Sequence, residues 1–157
     1  MELLLWRHAE AVEAGYGEAD MQRHLTSRGE KQAQRVASWL EQQKISPIRI
    51  LVSPAIRCQQ TAQSLALPYE TDERLGPGAD VTDLLVAAGG PADQSPHDAS
   101  VLLVSHQPTL GRLAALLLAG QEANWTIRKG ALWWFSFRKR ENTAPVLLKA
   151  VIDANLI

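Results

Sequence analysis

Residues 3–10 read LLLWRHAE. Leu3–Trp6 is an unbroken apolar run, the pattern of a strand buried on both faces inside a helix-covered parallel sheet. Arg7 and His8 follow at once, where a buried strand ordinarily gives way to turn residues. Two groups able to carry positive charge are costly beside an apolar core unless a partner meets them. Either the strand simply surfaces at Arg7, or its tip is an anion site.

Two further apolar runs end in a comparable way. Ile48–Ser53 leads into Pro54 and Arg57, and Val101–Ser105 leads into His106, Gln107 and Pro108. Helical patterns separate these strands. Thr26–Gln43 carries Thr26 or Ser27 as cap, Glu30 close behind, and Ala33, Val36, Ala37 and Leu40 in helical register. A second helix runs from Pro54, suited to a first turn, to about Ala66, with Leu67-Pro68 ending it. A short helix covers Val81–Ala88 and closes at Gly89-Gly90. The last spans Pro108–Ala119 and stops near Gly120. The polar, breaker-rich segment Gly90–Ser100 reads as a surface loop. Ala131–Phe137 and Val146–Ile152 form a hairpin across the turn-like Glu141–Pro145. The alternation predicts one α/β domain over residues 1–157, a three-layer α/β/α sandwich with a mostly parallel central sheet.

Bulk properties narrow the function. The chain has 157 residues, 46% of them hydrophobic and 21% charged, with a formal net charge of −1. That balance argues against a general nucleic-acid binder or a basic membrane-surface protein, so any positive patch is local. The lone Cys58 excludes an intramolecular disulfide and suits a reducing compartment. Leu3–Trp6 is too short for a secretory signal, and Leu113–Ala119 is too short to cross a bilayer. A cytoplasmic location is the expectation, with no membrane and no nucleic acid among the partners.

Open α/β sheets gather their working residues at the carboxyl ends of strands, where loops enter helices. Arg7, His8, Arg57 and His106 all fall there. Each alone is ordinary: a surfaced strand end, a solvated helix arginine, a capping histidine. Their concurrence at three strand ends is what points to an anion site, aided by helix N-termini that donate N–H groups. Other features are quiet. His24 and His97 lie in polar loop contexts. Cys58 lacks the arginine six positions on that a tyrosine-phosphatase nucleophile requires, since Ser64 stands there, and it reads as a small buried hydrophobe. Trp133-Trp134-Phe135 reads as core with one half-exposed ring. No Walker or dinucleotide glycine pattern occurs.

The Arg7-His8 tip, the run Ser53-Pro54-x-x-Arg57-x-x-x-Thr61, and Ser105-His106 before a helix resemble the histidine phosphatase superfamily, whose fold is phosphoglycerate-mutase-like. Arg23-x-Leu25-Thr26-x-x-Gly29, Leu75-x-Pro77-Gly78 and Gln107-Pro108 agree with it. Arg-His-Ala-Glu in place of the usual Arg-His-Gly, on a small chain, is similar to the SixA-type phosphohistidine phosphatases. The resemblance implies a metal-independent phosphatase without organic cofactor, acting through a covalent phosphohistidine intermediate. His8 would be the nucleophile. Arg7 and Arg57 would clamp the phosphoryl oxygens with planar forks that lysine cannot reproduce. His106, if protonated, would be a further donor, and Arg23 a fifth member. The clustered cations are expected to lower the His8 pKa and keep it neutral.

Many phosphomonoesterases of this superfamily add a carboxylic acid that protonates the leaving oxygen. Glu73, Asp80 and Asp83 lie in a suitable region, and Glu10, Glu13 and Asp20 follow the first strand. None stands out from an ordinary surface charge. Little chain lies between Leu67 and Ser100 to build a lid. Both features favour phosphohistidine displayed on a protein, such as a histidine-containing phosphotransfer domain. The rivals are a small-molecule phosphomonoesterase on the same fold and a silent phosphate-binding module.

Overall fold

The computed structural model describes residues 1–45, 47, 49–89, 100–137 and 146–157. His97, the turn Glu141–Pro145, the expected strand start at Ile48 and the expected loop Gly90–Ser100 up to residue 99 lie outside them, while Ser100 itself opens a strand instead of closing that loop.

A six-stranded sheet forms the centre, in the order β3-β2-β4-β1-β5-β6. Its strands are β1 (Glu2–Arg7), β2 (Arg49–Val52), β3 (Glu70–Thr71), β4 (Ser100–Ser105), β5 (Leu132–Phe137) and β6 (Val146–Ile152). The pairings β3-β2, β2-β4 and β4-β1 are parallel; β5 runs against both β1 and β6. The expected hairpin strands thus pair, with a register irregularity at Trp134/Phe135.

Side-chain alternation along the central strands divides the core in two. Leu4, Trp6, Ile50, Val52, Leu102 and Val104 pack with α1 (Ser27–Gln42) and α2 (Ile56–Gln63). Leu3, Leu5, Leu51, Val101 and Leu103 pack with α3 (Val81–Ala87) and α4 (Thr109–Ala119). This is why β1 and β4 are apolar at consecutive positions: each residue has a helix layer to face. Truncating one of these leucines to alanine costs ~2–5 kcal/mol. The buried Trp6 indole satisfies its N–H on the carbonyl of Gly130, 2.9 Å away.

Local chemistry sets the helix ends. Thr26 is the α1 cap, its Oγ1 accepting from the Gly29 amide at 3.0 Å. Gly29 sits directly beneath the chain leaving β1: a Cβ there would stand 1.9 Å from the Glu10 carbonyl oxygen. Asp80 and Asp83 form a reciprocal capping box on α3. Gly120 ends α4 with a left-handed φ of 76°, which glycine adopts without steric cost. Helix α2 is shorter than its sequence pattern predicts. Ala55, not Pro54, is the cap, because the Ala55 carbonyl accepts the first helical bonds, from Cys58 and Gln59.

Candidate active site

The adjacency of β2, β4 and β1 is what makes a site. Val52 pairs with Val104, and Arg7 pairs with Ser105, so the three carboxyl ends are level. The ladder continues one step further, the His8 amide donating to the Ser105 carbonyl at 3.2 Å and the Ser53 amide to that of Val104 at 3.0 Å. His8 and His106 therefore emerge side by side, ring centroids 5.3 Å apart and planes inclined at 58°. Arg57, in the first turn of α2, reaches both.

His8 is pinned by its own chain. Its Nδ1 lies 2.8 Å from the Ala9 carbonyl, which can only accept, so the ring proton sits on Nδ1 and Nε2 carries the lone pair. That lone pair receives Arg57 Nε at 3.3 Å. Thr61 fixes the backbone: its Oγ1 accepts from the Ala9 amide at 3.0 Å and donates to the Arg57 carbonyl at 2.7 Å. The four-residue spacing of Arg57 and Thr61 thus ties one helix turn to the chain just beyond His8. Burial, with only 6% of His8 exposed, pushes its pKa down to about 4. The Ala9 bond opposes this, and Arg57, Arg7 and Arg23 add to it. Desolvation is therefore the larger cause, with the cations secondary, a correction to the sequence-based account.

His106 is neutral as well, so the condition for it to donate from both ring nitrogens is not met in this arrangement. Its Nδ1 faces Arg57 Nη2 at 3.3 Å, and a guanidinium can only donate, so the proton lies on Nε2 and goes to Ser53 Oγ at 2.8 Å. Burial first, then the neighbouring His8 and Arg57, push its pKa down to about 3. Cys58 Sγ stands 3.5 Å from the same Nε2. The cysteine is fully buried and burial pushes its thiol up to about 12, which makes it packing rather than a nucleophile.

The guanidinium groups are differently engaged. Arg7 Nη1 donates to the Ile127 carbonyl at 2.8 Å, while its buried Nε has no hydrogen-bond partner among the described residues. Burial lowers the Arg7 pKa from its ordinary value. Arg57 commits its fork to Asp20. Nη1 donates to the Asp20 carbonyl at 2.8 Å and Nη2 to the Asp20 carboxylate at 3.0 Å. The same carboxylate takes Arg23 Nη1 at 3.1 Å, and Arg23 Nε donates to the Val12 carbonyl at 2.7 Å. Arg23 is thus brought to the cluster through Asp20.

With that geometry in place, likeness to known proteins can be weighed. Residues 3–76 match the histidine phosphatase superfamily (branch 1). Phosphohistidine phosphatase SixA of Escherichia coli (strain K12) is 36% identical over 127 residues, 77% of this chain and 76% of the relative. The chain belongs to the histidine phosphatase superfamily. Within it, the solved structure of the protein histidine phosphatase SixA complexed with tungstate superposes with a TM-score of 0.84 at 28% identity, covering 100% of both chains. A putative alpha-ribazole-5'-P phosphatase from Escherichia coli superposes at 0.70, covering 98% of both chains, and at 22% identity shares the fold alone.

Superfamily membership sharpens the question of a proton donor. Asp80 and Asp83 spend their carboxylates on each other's backbone amides. Glu73 is exposed at the start of a 3-10 turn (Glu73–Leu75), and Glu13 is exposed beyond β1. Glu10 accepts from Thr26 Oγ1 at 2.9 Å and pairs with Arg28. Of these carboxylates Asp20 alone is seen to hydrogen-bond to arginines of the site, Arg57 and Arg23. No group of three or more His, Cys, Asp or Glu among the described residues is placed to hold a metal ion. No helix among the described residues is long and apolar enough to cross a membrane.

The sequence also gave no hint of a wall formed by residues 127–130. Gly130 N lies 3.0 Å from the His8 carbonyl and 3.2 Å from that of Arg7, and Ile127 holds Arg7. The polarity of β5 explains it: an antiparallel neighbour of β1 begins where β1 ends. Phe135 is buried, but both Trp133 and Trp134 are half-buried where one half-exposed ring was expected, and the Trp134 indole donates to Glu2.

Proposed function

We propose that this chain hydrolyses phosphohistidine on a protein through a phosphoryl group carried on His8. The observation that carries the reading is the state of His8: buried, neutral, its Nδ1 proton committed to Ala9 and its Nε2 lone pair directed into the arginine cluster. A nucleophilic imidazole needs that tautomer. In the first step the His8 Nε2–phosphorus bond forms as the substrate's phosphorus–nitrogen bond breaks, and the departing imidazole takes a proton from solvent. In the second, water attacks phosphorus, loses a proton and releases inorganic phosphate and neutral His8. Arg57 Nε must leave the His8 lone pair for attack, and becomes free to meet a phosphoryl oxygen. Arg7 Nε, buried and without a hydrogen-bond partner among the described residues, offers a second donor of the same kind. His106 becomes a donor only when the arriving dianion raises its pKa and protonates Nδ1.

The substrate class rests on leaving-group chemistry. Asp20 is held below the usual carboxylate range, burial opposing and the hydrogen bonds of Arg23 and Arg57 dominating in sum. It is a carboxylate, not an acid, and so is poorly suited to protonating an alkoxide. An imidazole leaves with far less help. The SixA relatives, named for phosphohistidine, support the same choice. A histidine-containing phosphotransfer domain fits as the protein that presents the group. The test is a kinetic panel at fixed pH. Phosphohistidine should exceed phosphoserine and sugar phosphates in kcat/KM, with chelator leaving the rates unchanged. Preference for a sugar phosphate would move the chain to the small-molecule phosphomonoesterases, and no turnover of any ester or phosphoramidate would leave a phosphate-binding module.

A further inference from the structure

We propose that Asp20 is a built-in competitor for the phosphoryl site, a carboxylate that occupies the Arg57 and Arg23 guanidinium groups until a phosphoryl group displaces it. The proposal rests on the reading of this cluster as a phosphoryl site and adds a residue that governs which anions enter.

Three observations converge. First, Asp20 engages Arg57 twice, through its main-chain carbonyl at 2.8 Å and its carboxylate at 3.0 Å, and its other carboxylate oxygen takes Arg23 at 3.1 Å. One carboxylate bridging two guanidinium groups is the pattern by which arginines hold a phosphate. Second, this engagement holds the cluster closed. With its Nη groups on Asp20, Arg57 sets Nε on the His8 lone pair and shares Nη2 with His106. An incoming phosphorus must take the place of the Arg57 contact at His8 Nε2. Third, the two partners are unequally anchored. The Arg57 side chain is 5% exposed, whereas that of Asp20 is 54% exposed. Residues 13–20 are all exposed, and Gly17 among them has a left-handed φ of 80°. When the pair opens, Asp20 has solvent to move into and Arg57 does not.

Exchange then favours a guest that brings more charge than the carboxylate it replaces. A dianionic phosphoryl group does so, and a monoanionic carboxylate does not. Asp20 thereby screens the site against ordinary cellular carboxylates while leaving phosphate able to enter.

The competitor role makes a prediction opposite in sign to that of a structural support. If Asp20 merely held Arg57 in a productive position, removing its charge would weaken anion binding. If it competes, removal leaves two uncompensated arginines and strengthens binding. The experiment is calorimetric titration of the full chain with inorganic phosphate, and separately with acetate, for wild type, Asp20→Asn, Asp20→Ala and Asp20→Glu. The expected result is phosphate affinity about fivefold to tenfold higher in Asp20→Asn and Asp20→Ala, the worth of a half-exposed ion pair. Acetate should gain measurable binding in both, and Asp20→Glu should stay near wild type in both titrations. Circular dichroism of each variant identifies any unfolded one, and Asn and Ala give independent readings. Weaker or unchanged phosphate binding in the folded neutral variants overturns the proposal, as does absence of phosphate binding in every form. Failure of phosphohistidine turnover with tighter phosphate binding in Asp20→Asn would instead sink the substrate assignment and leave the competitor in place.

Discussion

The site has two sides built on different principles. On one, the ends of β1, β2 and β4 present His8 and His106 from a level, parallel ladder, and the buried side chains of Ser53, Thr61 and Arg57 hold them by short bonds. On the other, the exposed segment 13–23 supplies Asp20 and Arg23, held largely by charge. Burial keeps the histidines of the first side neutral, both pushed well below their ordinary pKa. Exposure makes the second side exchangeable. A phosphoryl-transfer site gains from both: a preset nucleophile on the rigid side and a displaceable counterion on the open one.

The sharpest way to break the contrast is to disturb the fixed side at Arg57. Arg57→Lys keeps the charge but loses the planar fork that reaches His8, His106 and Asp20 together. Phosphohistidine turnover should fall on the order of a hundredfold or more. Retention of the wild-type rate would remove Arg57 from the chemistry. Gly29→Ala attacks the joint between the two sides, because the new Cβ would collide with the Glu10 backbone just beyond His8. We expect a loss of about 3 kcal/mol in urea-unfolding stability. A loss below the error of the measurement would show that this loop can yield.

Acid titration tests the burial of the histidines directly. Their folded pKa values, about 4 for His8 and about 3 for His106, lie below the ordinary 6.5. Above pH 6.5 neither form of the chain binds the extra proton, and the full stability is present. As pH falls the unfolded chain takes up protons that the folded chain refuses. Stability should therefore drop on the order of 2 kcal/mol per histidine between pH 6.5 and pH 5. His106→Gln should show a correspondingly shallower loss over that interval, and an unchanged slope would place His106 in water. The smallest effect is expected at Thr61→Val, which removes the link from α2 to the Ala9 amide at near-constant volume. About 1 kcal/mol of stability should go, read from the denaturation midpoint, with a fall in kcat but little change in KM.

These two sides were also unequally legible in the sequence. The fixed side was, because burial leaves a pattern: consecutive apolar residues on β1 and β4, then Arg7-His8 and Ser105-His106 where the pattern breaks. The Arg57–Thr61 spacing was visible too, although its purpose, tying α2 to Ala9, emerged only from the bonds. The open side was legible only in part: the resemblance pointed to Arg23, but nothing pointed to the pairing of Asp20 with Arg57. Asp20 has the composition and setting of any surface carboxylate, and its partner Arg57 lies 37 residues away. Nothing local encodes that meeting. The wall at Ile127–Gly130 escaped for a related reason, since it depends on β5 running antiparallel beside β1. The protonation state of His106, left conditional in the sequence reading, depends on how deeply its ring is buried, which the local sequence does not encode. Helix α2 is shorter than expected because Pro54 tolerates a first turn without requiring one, and because Ser64, Leu65 and Ala66 bond three residues back in turns that end with Ala66 at a left-handed φ of 52°.

The central claim is that His8 Nε2 carries the phosphoryl group, and rapid quenching tests it most directly. The full chain is mixed with a labelled phosphohistidine peptide, quenched in base within the first turnover, and digested for mass spectrometry. The account predicts one phosphoryl group on the peptide containing His8, stable in base and lost in acid, and none in His8→Ala, which should remain folded. Full turnover by His8→Ala, or a trapped phosphoryl group on any other residue, would contradict it.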